Sequence, residues 1–262
     1  MNTKVLCCFH RNSSKNLDPI LFQYPDVFVP LLGGAAYCND VTDDFFKGMA
    51  RDDERENISD MNHLCSEGTH LFWLRKNLDR LGNPDMIGLC HYRRVFDLDY
   101  NNLDLNTVYV KRCDCPIPNH HDILGNCWAD PVIADLIRDL YFNRFPQYYY
   151  LYKDLQKDYT FFDKEMFVMN RQMFYNYADY MMTCLRILLE NVYPIVLKWY
   201  MEKPSAGAYQ ICFHRGFSYH IEFFAALYFA MLKERGYRLQ VTRLTKGSEH
   251  DTYSNMCVPR GS

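Results

Sequence analysis

The sequence has no apolar run of the roughly 18 residues that a membrane-spanning helix needs. It also has no excess of basic residues, with 29 Lys and Arg against 32 Asp and Glu, which argues against a nucleic-acid-binding protein. There is no N-terminal signal-peptide pattern, no internal repeat and no low-complexity tract. These absences favour a globular chain that works in the cytoplasm.

The composition favours a well-packed α/β domain. Of 262 residues, 48% are hydrophobic and 16% are aromatic, which is enough apolar material to fill a core. There are eleven cysteines, an odd number, and several lie inside apolar runs, where reduced core cysteines are expected. These are Cys7, Cys8, Cys38, Cys65 and Cys90.

The last five residues are set apart from the predicted domain. Val258–Ser262 matches most of a thrombin-cleavage linker, so we interpret it as a cloning remnant. The predicted single domain therefore covers residues 1–257.

Hydrophobic periodicity predicts strands that alternate with helices. Short apolar runs predict strands at 4–9, 26–32, 86–91, 107–110, 166–169 and 238–244. Apolar residues at spacings of three and four predict helices at 57–82, 172–200 and 219–235. This alternation predicts an α/β fold with a mostly parallel sheet. Strand 86–91 is expected at its centre because its apolar character is uninterrupted.

The polar residues directly after strand 86–91 are the strongest functional signal. His91, Tyr92, Arg93 and Arg94 follow one another at its carboxyl end. Ligands of open α/β folds bind at the carboxyl ends of strands. Arginine is almost never buried unpaired, so we expect an anion nearby, either a protein carboxylate or a ligand phosphate.

Two carboxylate pairs extend this prediction. Asp97 and Asp99 form a D-x-D sequence that could bridge Mn²⁺ or Mg²⁺ to a diphosphate, although the two arginines could neutralise a diphosphate without metal. Asp163 and Glu165 flank the start of strand 166–169 and are candidates for a general base. The alternative for this second pair is that both residues cap a turn.

Two further groups of residues are candidate metal sites. The spacing of His63, Glu67 and His70 predicts one helix face that could bind zinc or iron, or else a solvated polar face. The second group matches zinc-binding spacing poorly and favours a loop with incidental cysteines. Its members are Cys113, Cys115, His120 and His121.

Several stretches together resemble a bacterial domain family of exopolysaccharide and capsular polysaccharide biosynthesis, whose members are regarded as glycosyltransferases. Gly88–Phe96 resembles the family's H-Y-R-R-Y-F motif, and Glu165–Met169 resembles its N-M-F-I-M strand, with Glu165 in the place of asparagine. Other family motifs are matched in order by Arg51-Asp52-Asp53, Asn57-Ile58-Ser59, Asn62, Cys65, Glu67, Thr69, Trp73, Lys76, Asn77, Arg215-Gly216-Phe217 and Glu222.

The resemblance implies a GT-A-like, Rossmann-like fold and a nucleotide-diphosphate sugar lying across the strand ends. Arg93 and Arg94 would stabilise the leaving diphosphate, while the catalytic role predicted above for Asp163 and Glu165 rests on their place at a strand start and not on the resemblance. The donor-binding residues implied are His10, Arg11, Asp52, Asp53, Asn57, Glu67, His91, Tyr92 and Arg215. Glu67 is expected to face the His91–Arg94 loop.

The function implied is transfer of a sugar, such as a galactofuranosyl or hexosyl unit, to a growing surface polysaccharide or a lipid-linked oligosaccharide. Such an enzyme would work in the cytoplasm, at the inner face of the membrane, with peripheral membrane association. Two alternatives stay open at this point. One is a nucleotide-sugar-binding module without turnover, and the other is a metallohydrolase using the face of His63, Glu67 and His70.

Overall fold

A computed structural model of the chain describes residues 1–13, 17–38, 44–112, 131–152, 162–202 and 216–245. Within these ranges seven strands form one sheet, in the order β3-β2-β1-β4-β6-β5-β7. The strands are β1 (Thr3–Phe9), β2 (Phe28–Leu32), β3 (Ala50–Arg51), β4 (Met86–His91), β5 (Thr107–Arg112), β6 (Phe162–Asn170) and β7 (Arg238–Val241). Both neighbours of β6 pair with it antiparallel, and the other pairs are parallel. The mostly parallel sheet and the central position of β4 are therefore confirmed.

The helices cover the two faces of this sheet unequally. They are α1 (Ile20–Gln23), α2 (Asn62–Cys65), α3 (Glu67–Lys76), α4 (Pro131–Arg144), α5 (Arg171–Ile187), α6 (Tyr193–Glu202) and α7 (Gly216–Glu234). A π-helical turn, Leu188–Val192, joins α5 to α6. The predicted helical run over 172–200 is thus confirmed as two helices.

Alternation along the strands decides which side chains meet which helices. In β4, Ile87 and Leu89 belong to the large core that contains residues of α2 through α7. Met86 and Cys90 point to the other face, where a smaller core includes α1 and the segment 92–103. His91 follows Leu89 by two residues, so its side chain is directed towards the face that carries α3.

The predicted helix over 57–82 is interrupted, so this prediction is wrong in its continuity. A 3₁₀ turn, Ser59–Met61, precedes α2, and Ser66 then breaks the helix with φ 44° and ψ −116°. The carbonyl of Ser66 accepts hydrogen bonds from Asn62 Nδ2 at 3.0 Å and from Thr69 Oγ1 at 3.1 Å. These side-chain bonds compete with helical backbone bonds. The helical segment then ends at Lys76 rather than at Gly82.

Two composition-based expectations can be compared with the structure. Cys7, Cys8, Cys38, Cys65 and Cys90 are buried and unlinked, as predicted. The helical stretch Arg171–Trp199 has a mean hydropathy of 1.2 over its most apolar 18-residue window, of which 39% is buried. This stretch is long and apolar enough to cross a membrane, by length and composition only. Core helices of soluble proteins have the same length and composition.

Candidate functional site

The carboxyl ends of β1, β2 and β4 and the amino-terminal half of β6 meet at one edge of the sheet. Cys8 of β1 is in register with His91 of β4, and the backbone N–H of Gly33, just after β2, donates to the carbonyl of Phe9 at 2.8 Å. Because β6 is antiparallel to β4, with Phe167 opposite Leu89, Glu165 lies two residues further towards the level of His91. This edge therefore collects predicted site residues from separate strands.

A tight turn at the end of β4 presents the two arginines. The backbones of His91 and Arg94 exchange hydrogen bonds at 3.2 and 3.0 Å, which closes the turn around Tyr92 and Arg93. The Tyr92 ring is buried and stacks on Phe9 with centroids 5.3 Å apart. Arg93 is exposed and Arg94 is half-buried. Aromatic packing thus anchors a turn whose guanidinium groups reach the surface.

The loop after β1 lies against the same turn. The ring of His10 meets the Tyr92 ring edge-on at 5.8 Å, and the Arg93 guanidinium lies 5.7 Å from the Tyr92 ring centroid. The backbone N–H of Asn12 donates to His10 Nδ1 at 3.2 Å, which fixes the imidazole. Arg11 is exposed in this loop. The structure therefore brings His10, Tyr92 and Arg93 together.

Glu67 faces the turn from the first helical turn of α3, and the predicted orientation of its side chain is confirmed. Its Oε1 lies 3.4 Å from Nδ1 of His91, and the two side chains are only 19% and 14% exposed. Little water reaches the pair, so the attraction between the carboxylate and a protonated imidazole is weakly screened.

Glu165 is an unusual carboxyl group. It is 1% exposed, and among the described residues neither of its oxygens has a hydrogen-bond partner. Burial raises the pKa of Glu165 well above its ordinary value, and the nearby carboxylates of Glu67 and Glu222 raise it further. Its backbone has a φ of 53°, which is rare for a residue with a side chain. Asp163 lies in the same strand, and its side chain is outside the described part.

Asp52 is the centre of a buried hydrogen-bond network. Its Oδ2 accepts from the backbone N–H of Gly34 at 2.9 Å and from Thr69 Oγ1 at 2.8 Å. Its Oδ1 accepts from the N–H of Ala35 at 2.9 Å and from the hydroxyl of Ser59. With 1% exposure and four donors, this carboxylate fixes the loop after β2 against α3.

Asp53 and Asn57 are engaged by neighbours in their own segment. Arg51 makes a two-pronged ion pair with Asp53, at 3.0 Å through Nε and 2.8 Å through Nη2. This hydrogen-bonded pairing raises the pKa of Arg51. Nδ2 of Asn57 donates to the carbonyls of Asp53 and Arg55, each at 2.9 Å. Asp53 thus binds Arg51 in this structure, and its predicted contact with a donor stays a prediction.

The carboxylates of the D-x-D sequence lie at the surface, and the predicted metal contact of Asp97 and Asp99 stays a prediction. Asp97 and Asp99 are both exposed. The two oxygens of Asp99 accept from the N–H of Asn101 at 3.1 Å and from Asn102 Nδ2 at 2.6 Å, which is a local turn arrangement. Within the described ranges no group of three or more His, Cys, Asp or Glu side chains has a metal-binding arrangement.

The shared helix face predicted for His63, Glu67 and His70 is wrong. The break at Ser66 separates His63 on α2 from the other two residues on α3. His70 is 4% exposed and packs against Gly33, while Nδ1 of His63 lies 2.9 Å from the carbonyl of Asp60. This removes the geometric basis for the metallohydrolase alternative.

Some predicted residues lie outside the described ranges. They are Arg215, the group of Cys113, Cys115, His120 and His121, and the terminal Val258–Ser262.

The sequence pattern gave no signal for three features of this edge. Thr69 and Ser59 stand out in the sequence only as parts of longer motifs, and their hydrogen bonds to Asp52 depend on the tertiary fold. The contact of His70 with Gly33 also joins separate elements. Tyr177 of α5 is fully buried near Glu165, which raises the pKa of its hydroxyl after the larger effect of burial. A glycine pair directly after a strand was the one available hint of close packing.

Comparisons with known proteins identify a domain family and a similar fold. A family model described as a domain of unknown function, DUF4422, matches residues 4–198. The apo structure of the bifunctional glycosyltransferase WbbM is similar, with a TM-score of 0.65 and 17% sequence identity. The match covers 94% of this chain and 45% of the WbbM chain, so this chain spans less than half of that protein's length. No curated protein sequence matches significantly.

Proposed function

The chain belongs to the DUF4422 family, and we propose that it is a glycosyltransferase that takes its sugar from a nucleotide-diphosphate sugar. One observation carries the proposal: the closed His91–Arg94 turn stands at the carboxyl end of the central strand, in a fold shared with WbbM. Ligands of open α/β sheets bind at this edge.

In this proposal Arg93 and Arg94 bind the diphosphate. A guanidinium group matches phosphate oxygens with two parallel hydrogen bonds, which a lysine ammonium group cannot do. Charge develops on the diphosphate as the bond to the sugar breaks, and fixed positive groups act most strongly at that stage. His10 and Arg11 form the adjoining surface, with the His10 ring against the buried ring of Tyr92, and we assign this surface to the nucleotide.

We assign the acceptance of the proton from the acceptor hydroxyl to Glu165. A carboxyl group with a raised pKa is a stronger base once it is ionised. An acceptor hydroxyl would also supply the hydrogen-bond partner that Glu165 lacks among the described residues. Asp163, two residues earlier in β6, is the alternative base.

The enclosure of Glu165 favours one second candidate function, binding of a nucleotide sugar without turnover. At 1% exposure its carboxyl group is closed to an acceptor in this conformation. Detection of nucleotide-sugar hydrolysis or sugar transfer by the purified chain would rule out this second candidate.

The acceptor and the location follow from the polysaccharide-family resemblance. We propose a growing surface polysaccharide or a lipid-linked oligosaccharide as acceptor, with a galactofuranosyl donor as the first to test. We also propose that the enzyme works in the cytoplasm, at the inner face of the membrane. The buried, unlinked cysteines support a reducing compartment.

The test is a thermal-shift screen of nucleotide sugars, including UDP-galactofuranose, with Mn²⁺ or with EDTA, followed by hydrolysis assays with the donors that bind. We expect a donor to raise the melting temperature. Arg93→Lys and Arg94→Lys keep the positive charge and lose the two parallel hydrogen bonds of the guanidinium group. At least one of the two substitutions should therefore lower turnover by roughly 10²-fold. Arg186→Lys is the matched control because Arg186 is an exposed residue of α5. Wild-type turnover in both site variants would exclude these arginines as the diphosphate site.

A further inference from the structure

The contact between Glu67 and His91 suggests an additional positive group at the proposed diphosphate site. His91 is the first residue of the closed turn that carries Arg93 and Arg94 at the carboxyl end of β4. Its Nδ1 is 3.4 Å from Oε1 of Glu67. The second ring nitrogen, Nε2, is on the opposite side of the imidazole from this contact.

We propose that Glu67 holds His91 as an imidazolium cation, and that this cation binds the donor diphosphate together with Arg93 and Arg94. The inference rests on the proposed function and extends it. In sites where carboxylates hold a divalent cation, that cation neutralises the diphosphate, and here the positive charge of the protein would take its place. Glu67 is then a positioning residue, while His91 contacts the substrate.

The surroundings of His91 favour the charged form of its ring. Glu67 faces it from α3, Glu165 approaches from β6, and Cys8 is in register with it on β1. The Glu67 carboxylate raises the pKa of the Cys8 thiol beyond the larger effect of burial, so Glu67 is the negative group of this pocket, while the raised pKa of Glu165 favours the neutral form of that carboxyl group. Glu222 of α7 adds negative charge near Glu165. The guanidinium groups of Arg93 and Arg94 have the opposite effect, because nearby positive charge disfavours a protonated imidazole.

The carboxylates of the D-x-D sequence are the alternative means of holding the diphosphate, through a divalent cation. Asp99 uses both oxygens within its own turn, and Asp97 is exposed beside it. A divalent cation next to Arg93, Arg94 and a protonated His91 would also be repelled by three positive groups. Phosphate, by contrast, is attracted by every one of them.

The experiment measures binding of UDP, GDP, CDP, dTDP and inorganic pyrophosphate to the intact chain by calorimetry, in EDTA, from pH 5.5 to 8.5. We expect at least one nucleoside diphosphate to bind without metal. Its affinity should fall as the pH rises, because His91 loses its proton. His91→Gln should bind about tenfold more weakly at pH 6, the scale of one charge-assisted hydrogen bond, and its affinity should vary less with pH.

Three further variants separate a charge role from a structural one. Glu67→Gln should keep most of the affinity at pH 5.5 and lose it at a lower pH than wild type, because the imidazolium loses its carboxylate. His91→Lys should restore binding relative to His91→Gln, with little pH dependence. His63→Gln is the control, since His63 lies on α2 with its Nδ1 near the carbonyl of Asp60, and it should match wild type.

The outcomes distinguish this inference from the proposed function. If wild type binds a nucleoside diphosphate only with Mn²⁺ or Mg²⁺, the inference is overturned and the proposed function stands. The same holds if His91→Gln, folded by circular dichroism, keeps wild-type affinity and pH dependence. If His91→Gln does not fold, the Glu67→Gln and His91→Lys profiles decide. If wild type binds none of these compounds under any condition, both fail.

Discussion

The hydroxyl of Thr69 donates to Oδ2 of Asp52 across 2.8 Å, and this bond ties α3 to the segment that follows β3. Asp52 in turn receives the backbone N–H groups of Gly34 and Ala35 after β2. One buried carboxylate therefore connects a helix and two strand ends. Glu67 is two residues before Thr69, so the same network holds the start of α3 where Glu67 meets His91.

Thr69→Val should lower the free energy of unfolding by about 1–3 kcal/mol, because the buried carboxylate loses a donor at constant side-chain shape. Urea unfolding measures the change. Thr183→Val is the matched control, since the Thr183 hydroxyl only donates to the carbonyl of Asp179 on an exposed part of α5. It should change stability by less than about 0.5 kcal/mol. Equal effects of the two substitutions would contradict the central role of Asp52.

Gly33→Ala should destabilise the chain because His70 occupies the space of a β-carbon. A Cβ at Gly33 would lie 2.2 Å from Cε1 and 2.3 Å from Nε2 of His70. Overpacking of this kind costs about 1–3 kcal/mol. His70→Ala removes the obstructing ring, so the alanine at position 33 should cost much less in that background. Additive effects in this double-mutant cycle, measured by thermal unfolding, would show that the ring is not the cause.

The fold could be predicted where local pattern and burial agree. β4 has the predicted bounds, 86–91, because an uninterrupted apolar run lies between a proline turn and polar residues. The orientation of β6 could not be predicted, since strand direction leaves no mark in a short apolar run. The break at Ser66 was also hidden, because it depends on side-chain hydrogen bonds from Asn62 and Thr69 to its carbonyl. The two-residue β3 is too short to have a period.

The candidate site could likewise be predicted in part. The placement of His91–Arg94 at a strand end could be predicted because it depends on position along one element, and the orientation of Glu67 towards this turn was predicted from the block of family-like motifs. The role of Asp52 could not, since its donors come from three separate segments. The carboxyl group of Glu165, which has no hydrogen-bond partner in the described part of the chain, depends on the packing of β6 under α7, which no local pattern reports.

His220 should make stability decrease in mild acid. It is 2% exposed in α7, and burial lowers its pKa from 6.5 to about 4. Between these values the unfolded chain binds a proton that the folded chain does not, so stability falls as pH falls from 6.5 towards 4. His220→Leu should remove up to about 3 kcal/mol of this decline, measured by urea unfolding at several pH values. His63→Gln is the control, and an unchanged pH slope in His220→Leu would contradict the prediction.

Glu165 should lower stability as the pH rises, in the opposite sense to His220. Its folded pKa is raised well above the ordinary 4.5, so above pH 4.5 the unfolded chain loses a proton that the folded chain keeps. Folding must then take up a proton, and stability falls with increasing pH until the folded group ionises.

Glu165→Gln preserves the shape of the protonated acid and cannot ionise. It should therefore have a higher melting temperature than wild type at pH 8, and the difference should shrink towards pH 4.5. If Glu165 is the general base, the same variant should lose turnover by about 10²- to 10⁴-fold. Greater stability together with lost activity is expected where a site holds a strained or uncompensated group.

Glu190→Gln is the control, since Glu190 is an exposed carboxylate whose side chain is 67% accessible, and it should change neither property. A Glu165→Gln variant with full turnover would move the base to Asp163. One without a pH-dependent gain in stability would show that Glu165 is ionised in the folded chain.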